Sequence, residues 1–266
     1  MATLLAGKTL VTLNSTASQA SLASALQQAD IRTVVTARRF VEKLSQRGLA
    51  VESLPEGKQV IYLEDLQAGI SRFERVSTFL AVRLLPAWLL QALFCYGRNA
   101  DATAAILFSS GSEGQPKGVM LSHANLMTFA LTGALTSGVP EQTQMLHCAP
   151  LFHIAGMGFL LTAFLQGGTH VMISGFNPAD VSLAVRAHSV TDVLLVPTMI
   201  QLLLDSSDFD PSNFVSLQTI VYGASPMPLG TVDLAQQCLP NTNLVQGYGM
   251  TECGLISVTP QHNHSL

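Results

Sequence analysis

The stretch Ile106-Leu-Phe-Ser-Ser-Gly-Ser-Glu-Gly-Gln-Pro-Lys-Gly-Val119 places three serines, three glycines and one lysine directly after an apolar run. Glycine lets backbone N–H groups turn toward an anion, serine adds donors, and a lysine ammonium supplies a point charge for phosphate. Ser109, Ser110, Gly111, Ser112, Gly114, Lys117 and Gly118 therefore read as a phosphate cradle at the end of a strand, with Glu113 inside it. The rival Walker A pattern, GxxxxGK[ST], fails twice, because Lys117 follows Pro116 and precedes Gly118. A P-loop kinase or GTPase is disfavoured on that ground.

Three further stretches follow in order: Pro150-Leu-Phe-His153, Tyr222-Gly-Ala-Ser225 and Gln246-Gly-Tyr-Gly-Met-Thr-Glu252. Together with the loop at Ser109–Gly118 they resemble the adenylate-forming acid–thiol ligases, the family of fatty acyl-CoA synthetases, luciferases and peptide-synthetase adenylation domains. The resemblance is strong over residues 100–260 and more diffuse before them. It implies that Lys117 and its loop hold the phosphates of ATP, and that Gly223, Ala224 and Ser225 border the adenine. It further implies that Gly247, Tyr248 and Gly249 close on the nucleotide, Tyr248 stacking on the purine. Thr251 would offer its hydroxyl to phosphate and Glu252 a hard oxygen to Mg²⁺. His153 would line the acyl pocket and close on the intermediate. The implied reaction joins a fatty carboxylate to ATP as an acyl-adenylate and then passes the acyl group to the thiol of CoA or of an acyl carrier protein.

The chain departs from that family in two ways. Glu113 stands where most members carry threonine, and a carboxylate there repels phosphate unless Mg²⁺ lies between them or the side chain turns away. The run Ser-Gly-Ser-Glu-Gly and the segment Ile61–Leu66 look like the branch containing acyl-carrier-protein synthetases and the synthetase half of lysophospholipid acyltransferases. Residues 119–258 look more like medium- or long-chain acyl-CoA ligases, which leaves the thiol acceptor open. The second departure concerns lysine. All four lysines, Lys8, Lys43, Lys58 and Lys117, lie at or before the loop, and no aspartate follows Asp233. The family's adenylation lysine, ribose aspartate and C-terminal lid domain would then lie outside these residues, and the chain reads as a truncated piece of a ligase that is inactive alone. The alternative is a non-catalytic fragment that binds nucleotide or acyl-adenylate. An acyltransferase would need His-x4-Asp, which the sequence lacks.

The elements that must position these residues follow from patterning. Short β-branched runs alternate with longer helical stretches: Thr9–Leu13, Ser18–Ala29, Thr33–Thr36, Arg38–Arg47 and Val60–Leu63, then Ala104–Phe108, Ser122–Leu135, His153–Leu165 and onward to Leu244–Gln246. This grammar predicts an α/β fold of layered, mainly parallel sheets with flanking helices. The resemblance makes it an incomplete N-terminal domain of the adenylate-forming fold. Residues 1–100 read as its first part and 101–266 as the nucleotide-binding core, with a seam at Gly97–Ala102. Buried parallel strands also account for a chain that is 48% hydrophobic and only 11% charged, too apolar to be disordered. A net charge of −4 offers no basic face for nucleic acid. Widely spaced Cys95, Cys148, Cys238 and Cys253 and the lack of a signal-peptide core point to a reducing, cytoplasmic setting. The apolar segment Val76–Tyr96 is too interrupted for a spanning helix, which needs about 20 residues. It reads as a buried core helix or lid, or else as an interfacial helix touching the inner face of a membrane.

Overall fold

The computed structural model describes residues 1–46, 58–95, 99–109, 116–136 and 143–259. They form two compact units, Met1–His123 and Ala124–Leu266. Gly97 and Arg98 of the expected seam lie outside the described residues, as do Ser110–Gln115 of the loop.

The first unit runs α1 (Ala2–Leu5), β1 (Leu10–Thr12), α2 (Gln19–Gln28), β2 (Thr33–Thr36), α3 (Arg38–Ser45), β3 (Gln59–Tyr62), α4 (Leu63–Gly69), α5 (Arg72–Leu84), α6 (Ala87–Phe94), β4 (Thr103–Ser109) and β5 (Lys117–Ser122). Helix α2 opens where Ser18 accepts the Ser21 N–H at 3.2 Å. Helix α5 opens with a capping box: Ser71 accepts the Glu74 N–H at 3.2 Å while the Glu74 carboxylate accepts the Ser71 N–H at 2.8 Å. Strands β2 and β3 pair in parallel, and a three-stranded sheet has the order β1-β4-β5. Within it β1 runs parallel and β5 antiparallel to β4. Its core is Ala25 and Leu26 of α2 with Ala104, Ala105, Leu107 and Leu121 of the strands. Helices α5 and α6 correct the buried-helix expectation, since neither contributes a buried residue. Phe73 is 80% and Trp88 69% exposed. No described helix is long and apolar enough to cross a membrane.

The second unit runs α7 (His123–Thr136), which begins at the boundary, then β6 (Gln144–His147), α8 (Ile154–Leu165), β7 (Thr169–Met172), α9 (Pro178–His188), β8 (Asp192–Leu195), α10 (Pro197–Leu204), β9 (Thr219–Gly223), α11 (Leu229–Cys238), β10 (Asn243–Met250) and β11 (Gly254–Thr259). The sheet order is β11-β10-β9-β8-β6-β7, parallel throughout except for the β10/β11 hairpin. Alternate strand residues serve opposite faces. Leu146, Val193, Leu195, Ile220, Tyr222 and Leu244 enter a core with Val181 and Val185 of α9, Ile200 and Leu203 of α10 and Val232 of α11. On the other face Met145 packs with Phe159 and Ala163 of α8. A sheet covered on both sides explains near-continuous apolar strands. Helix α9 begins with Asn177 accepting the Ala179 N–H at 2.9 Å and with Pro178 at the first helical position.

Candidate functional site

In the first unit the loop is bounded by a strand pair. Ser109, the last residue of β4, stands opposite Lys117, the first of β5, and Phe108 stands opposite Gly118. Antiparallel pairing thus brings the first serine and the lysine together across the mouth of the loop. A Cβ on Gly118 would lie 3.2 Å from both Ile106 Cγ2 and Phe108 Cε1, so glycine there lets β5 lie close to these side chains. Lys117 is exposed and forms no ion pair among the described residues. Ser110, Gly111, Ser112, Glu113 and Gly114 fall outside the described residues.

In the second unit the remaining candidates gather at one edge. Because β6 through β10 run in the same direction, their C-terminal ends share a rim. Pro150–His153 follow β6, and Ala224 and Ser225 follow β9. The chain leaves β6 toward β7 on one side and returns past it to β8, β9 and β10. Such a reversal opens a crevice at the carboxyl ends of strands, the usual ligand position in open α/β sheets.

The two glycine-containing stretches meet there. Gly223 and Gly247 are partners in the β9/β10 pair, and any Cβ on Gly223 would overlap the Gly247 carbonyl oxygen. Ala224 follows in the left-handed region at φ 68°, a conformation that costs a non-glycine residue about 1 kcal/mol or more. Beyond Gly247, β10 outruns β9, and Tyr248, Gly249 and Met250 pair only with β11. The register shifts between Tyr248 and Gly249, an irregularity of the kind that redirects a side chain at the end of a sheet. Tyr248 is 62% exposed. Thr251, Glu252 and Cys253 form the turn into β11, with Glu252 exposed and Gly254 at φ 72°. No group of three or more His, Cys, Asp or Glu side chains able to hold a metal occurs among the described residues; Mg²⁺ requires no such group, since it keeps most of its waters and takes one or two carboxylates together with phosphate oxygens.

His153 stands at the N-cap position of α8 with no side-chain capping hydrogen bond. Its ring lies 4.7 Å from that of Phe152, and partial desolvation lowers its pKa. A Cβ on Gly156 would overlap the Pro150 carbonyl, so glycine allows the first turn of α8 to sit on its leading loop. A groove of about 320 Å³ runs beside β11, lined by Thr132, Thr136, Leu255, Ile256, Ser257 and Val258.

One feature of this rim has no signal in the sequence. His147, at the end of β6, is buried, and its Nε2 lies 2.9 Å from Nδ1 of His170 on β7. The two imidazoles stack at 5.0 Å, and Phe159 meets His147 edge-on at 5.7 Å. Burial, with the neighbouring His170 second, pushes the His147 pKa down to about 4. Separated by 23 residues, the two histidines become neighbours only through strand pairing.

A feruloyl-CoA synthase of an Amycolatopsis species is 38% identical over 154 residues, which are 57% of this chain and 31% of that protein. A 2-succinylbenzoate–CoA ligase of Bacillus licheniformis is 28% identical over 265 residues, 97% of this chain and 48% of the ligase. The chain therefore spans about half or less of the length of these curated relatives. Solved structures of o-succinylbenzoate coenzyme A synthetase from Bacillus subtilis match with a TM-score of 0.75 for the complex with AMP and 0.74 for the complex with ATP and magnesium. Each is 26% identical and covers 98% of this chain and 48% of that one. The profile of the AMP-binding enzymes matches residues 1–266, and the chain belongs to that family.

Proposed function

We propose that this chain is the nucleotide-binding part of an ATP-dependent acid–thiol ligase. The carrying observation is the rim at Gly223, Gly247 and Tyr248, where two backbones approach too closely for a side chain and an aromatic ring stands free beside them. Tyr248 stacks on the adenine, and the main chain at Gly223–Ser225 borders it. Ser109, Lys117, Gly118 and the loop between them take the phosphates. Thr251 donates its hydroxyl to phosphate, and Glu252 would hold Mg²⁺, whose chemistry is charge neutralisation on the phosphates.

In the reaction a carboxylate oxygen attacks the α-phosphorus of ATP, forming an acyl–O–P bond as the bond to pyrophosphate breaks. A thiol sulfur then attacks the acyl carbon and AMP leaves. Such chemistry depends on positioning and on stabilising developing negative charge, which matches a site of one ammonium, hydroxyls and backbone N–H groups. His153, at the head of apolar α8, borders the acid. The acid is an apolar carboxylate: a fatty acid is our reading, and an aromatic acid of the kind named in the relatives is the competing arm of the test. CoA is the thiol in the relatives' names, and an acyl carrier protein is the other acceptor to be assayed. Titrating the chain with Mg·ATP beside Lys117→Ala tests this reading. Binding that the substitution weakens supports it, and equal binding by both chains, or none by either, contradicts it.

Helices α5 and α6 carry the membrane part of the proposal. Phe73, Phe79, Leu84 and Trp88 are exposed on helices that also carry Arg72, Arg75 and Arg83, and apolar and basic side chains together are what an anionic interface takes up. Trp88 is the only tryptophan, so its emission reports contact directly. A blue shift with phosphatidylglycerol vesicles, absent with phosphatidylcholine vesicles, is expected. No shift with either would refute the contact.

A further inference from the structure

The ring of Phe129, on α7, separates two glycines at its opposite edges. A Cβ on Gly158 of α8 would overlap the ring's Cδ1–Cε1 edge, while one on Gly254 at the start of β11 would overlap Cδ2 and lie 3.1 Å from Cε2. Both glycines are buried. Gly254 directly follows the turn Thr251–Cys253, and Gly158 lies in the helix that begins just after His153. Helix α8 is fixed on two further sides. A Cβ on Gly133 of α7 would lie 2.6 Å from Thr162 Oγ1, and the Thr162 hydroxyl donates to the Ala130 carbonyl at 3.4 Å. At its first turn Gly156 rests on the Pro150 carbonyl.

We infer that Phe129 is a positioning residue: its ring spaces the Thr251–Cys253 turn from α8, and so sets where the Thr251 hydroxyl and the Glu252 carboxylate stand. The spacer touches neither nucleotide nor acid in this assignment. Its structural half depends only on the packing, and its functional half rests on the proposed roles of Thr251 and Glu252. Both glycines are needed because a ring in contact at two edges leaves no room for a methyl group at either. An added methyl at Gly158 must push the ring toward Gly254, whose positive φ leaves the turn little freedom to yield by adopting an ordinary backbone conformation.

The test compares Gly158→Ala, Phe129→Leu and the double variant in the full chain, by hydrogen–deuterium exchange and by Mg·ATP titration. With Gly158→Ala, exchange across residues 250–256 rises about tenfold while β6, β8 and β9 keep their protection, whereas a merely destabilising change loosens the whole unit. Affinity for Mg·ATP falls with it. Phe129→Leu in the same chain removes the overlapping edge and restores both readouts toward the parent values. Should Gly158→Ala fail to fold, Phe129→Leu alone carries the test, since it opens space and still frees the turn. Unchanged exchange at 250–256 in a folded Gly158→Ala or Phe129→Leu single variant, or no restoration in the double variant, overturns the spacer. If the parent chain binds no Mg·ATP, the proposed nucleotide function falls, and the exchange pattern still decides the spacer.

Discussion

Replacing Gly223 with alanine is a sharp probe of the rim because the obstacle is backbone. In the β9/β10 pair the new methyl would overlap the Gly247 carbonyl oxygen, which cannot rotate away as a side chain can. Relief requires β10 to move just where it carries Tyr248. Overpacking of this kind costs about 1–3 kcal/mol. At about 2–4 °C per kcal/mol for a unit of this size, the melting temperature should fall by about 2–12 °C. Gly230, in the first turn of α11, supplies the control, since nothing lies within 4 Å of a Cβ there. Gly230→Ala should stabilise by about 0.5–1 kcal/mol through the helix alone. Differential scanning calorimetry beside AMP titration reads both effects. Gly223→Ala should lower the transition and weaken AMP by about tenfold, equivalent to about 1.4 kcal/mol, whereas Gly230→Ala should do neither. A Gly223→Ala chain that melts with its parent and binds AMP equally well would refute the close-approach argument.

Two other predictions concern buried polar groups. His147 is held neutral to about pH 4, below its unfolded value near 6.5, so between these values the unfolded chain binds a proton that the folded chain refuses. Stability is therefore complete above about pH 6.5 and declines as pH falls toward 4, by up to roughly 3 kcal/mol. Urea midpoints across that range should drop for the parent and flatten for His147→Gln, and parallel pH profiles would contradict this. Asp192 is fully buried, accepting from the Thr191 hydroxyl at 2.6 Å and from that of Thr143. Asp192→Ala should cost about 1–3 kcal/mol by removing the acceptor these hydroxyls share, and an unchanged denaturant midpoint would exclude that role.

Local signals carried much of the fold. Thr33–Thr36 occurs as patterned, and Ser18 and Ala29 prove to be the two caps of α2. The elements the pattern missed owe their structure to partners. Lys117–Ser122 begins with a lysine and a glycine and is strand because β4 lies beside it. Gln144–His147 has only two apolar residues between polar ends, yet it lies between β7 and β8. Gly254–Thr259 is held by its hairpin with β10. Helix α7 starts at His123 because Ser122 completes β5. The motif residues announced themselves by type and spacing. By contrast the Gly223–Gly247 approach, the His147–His170 pair and the Phe129 spacer join residues far apart in sequence, and no periodicity encodes them. The apolar content of Val76–Tyr96 was legible and the exposure of its described residues was not, since hydropathy does not say whether a neighbour will cover a helix.

The most direct test of the central claim is calorimetric titration of the chain with a non-hydrolysable acyl-adenylate analogue, beside Tyr248→Ala. The account predicts binding by the parent chain and a loss of about tenfold or more with Tyr248→Ala, the scale of one stacked aromatic contact to a base. Equal binding by both chains, or a folded parent chain that does not bind, would contradict it.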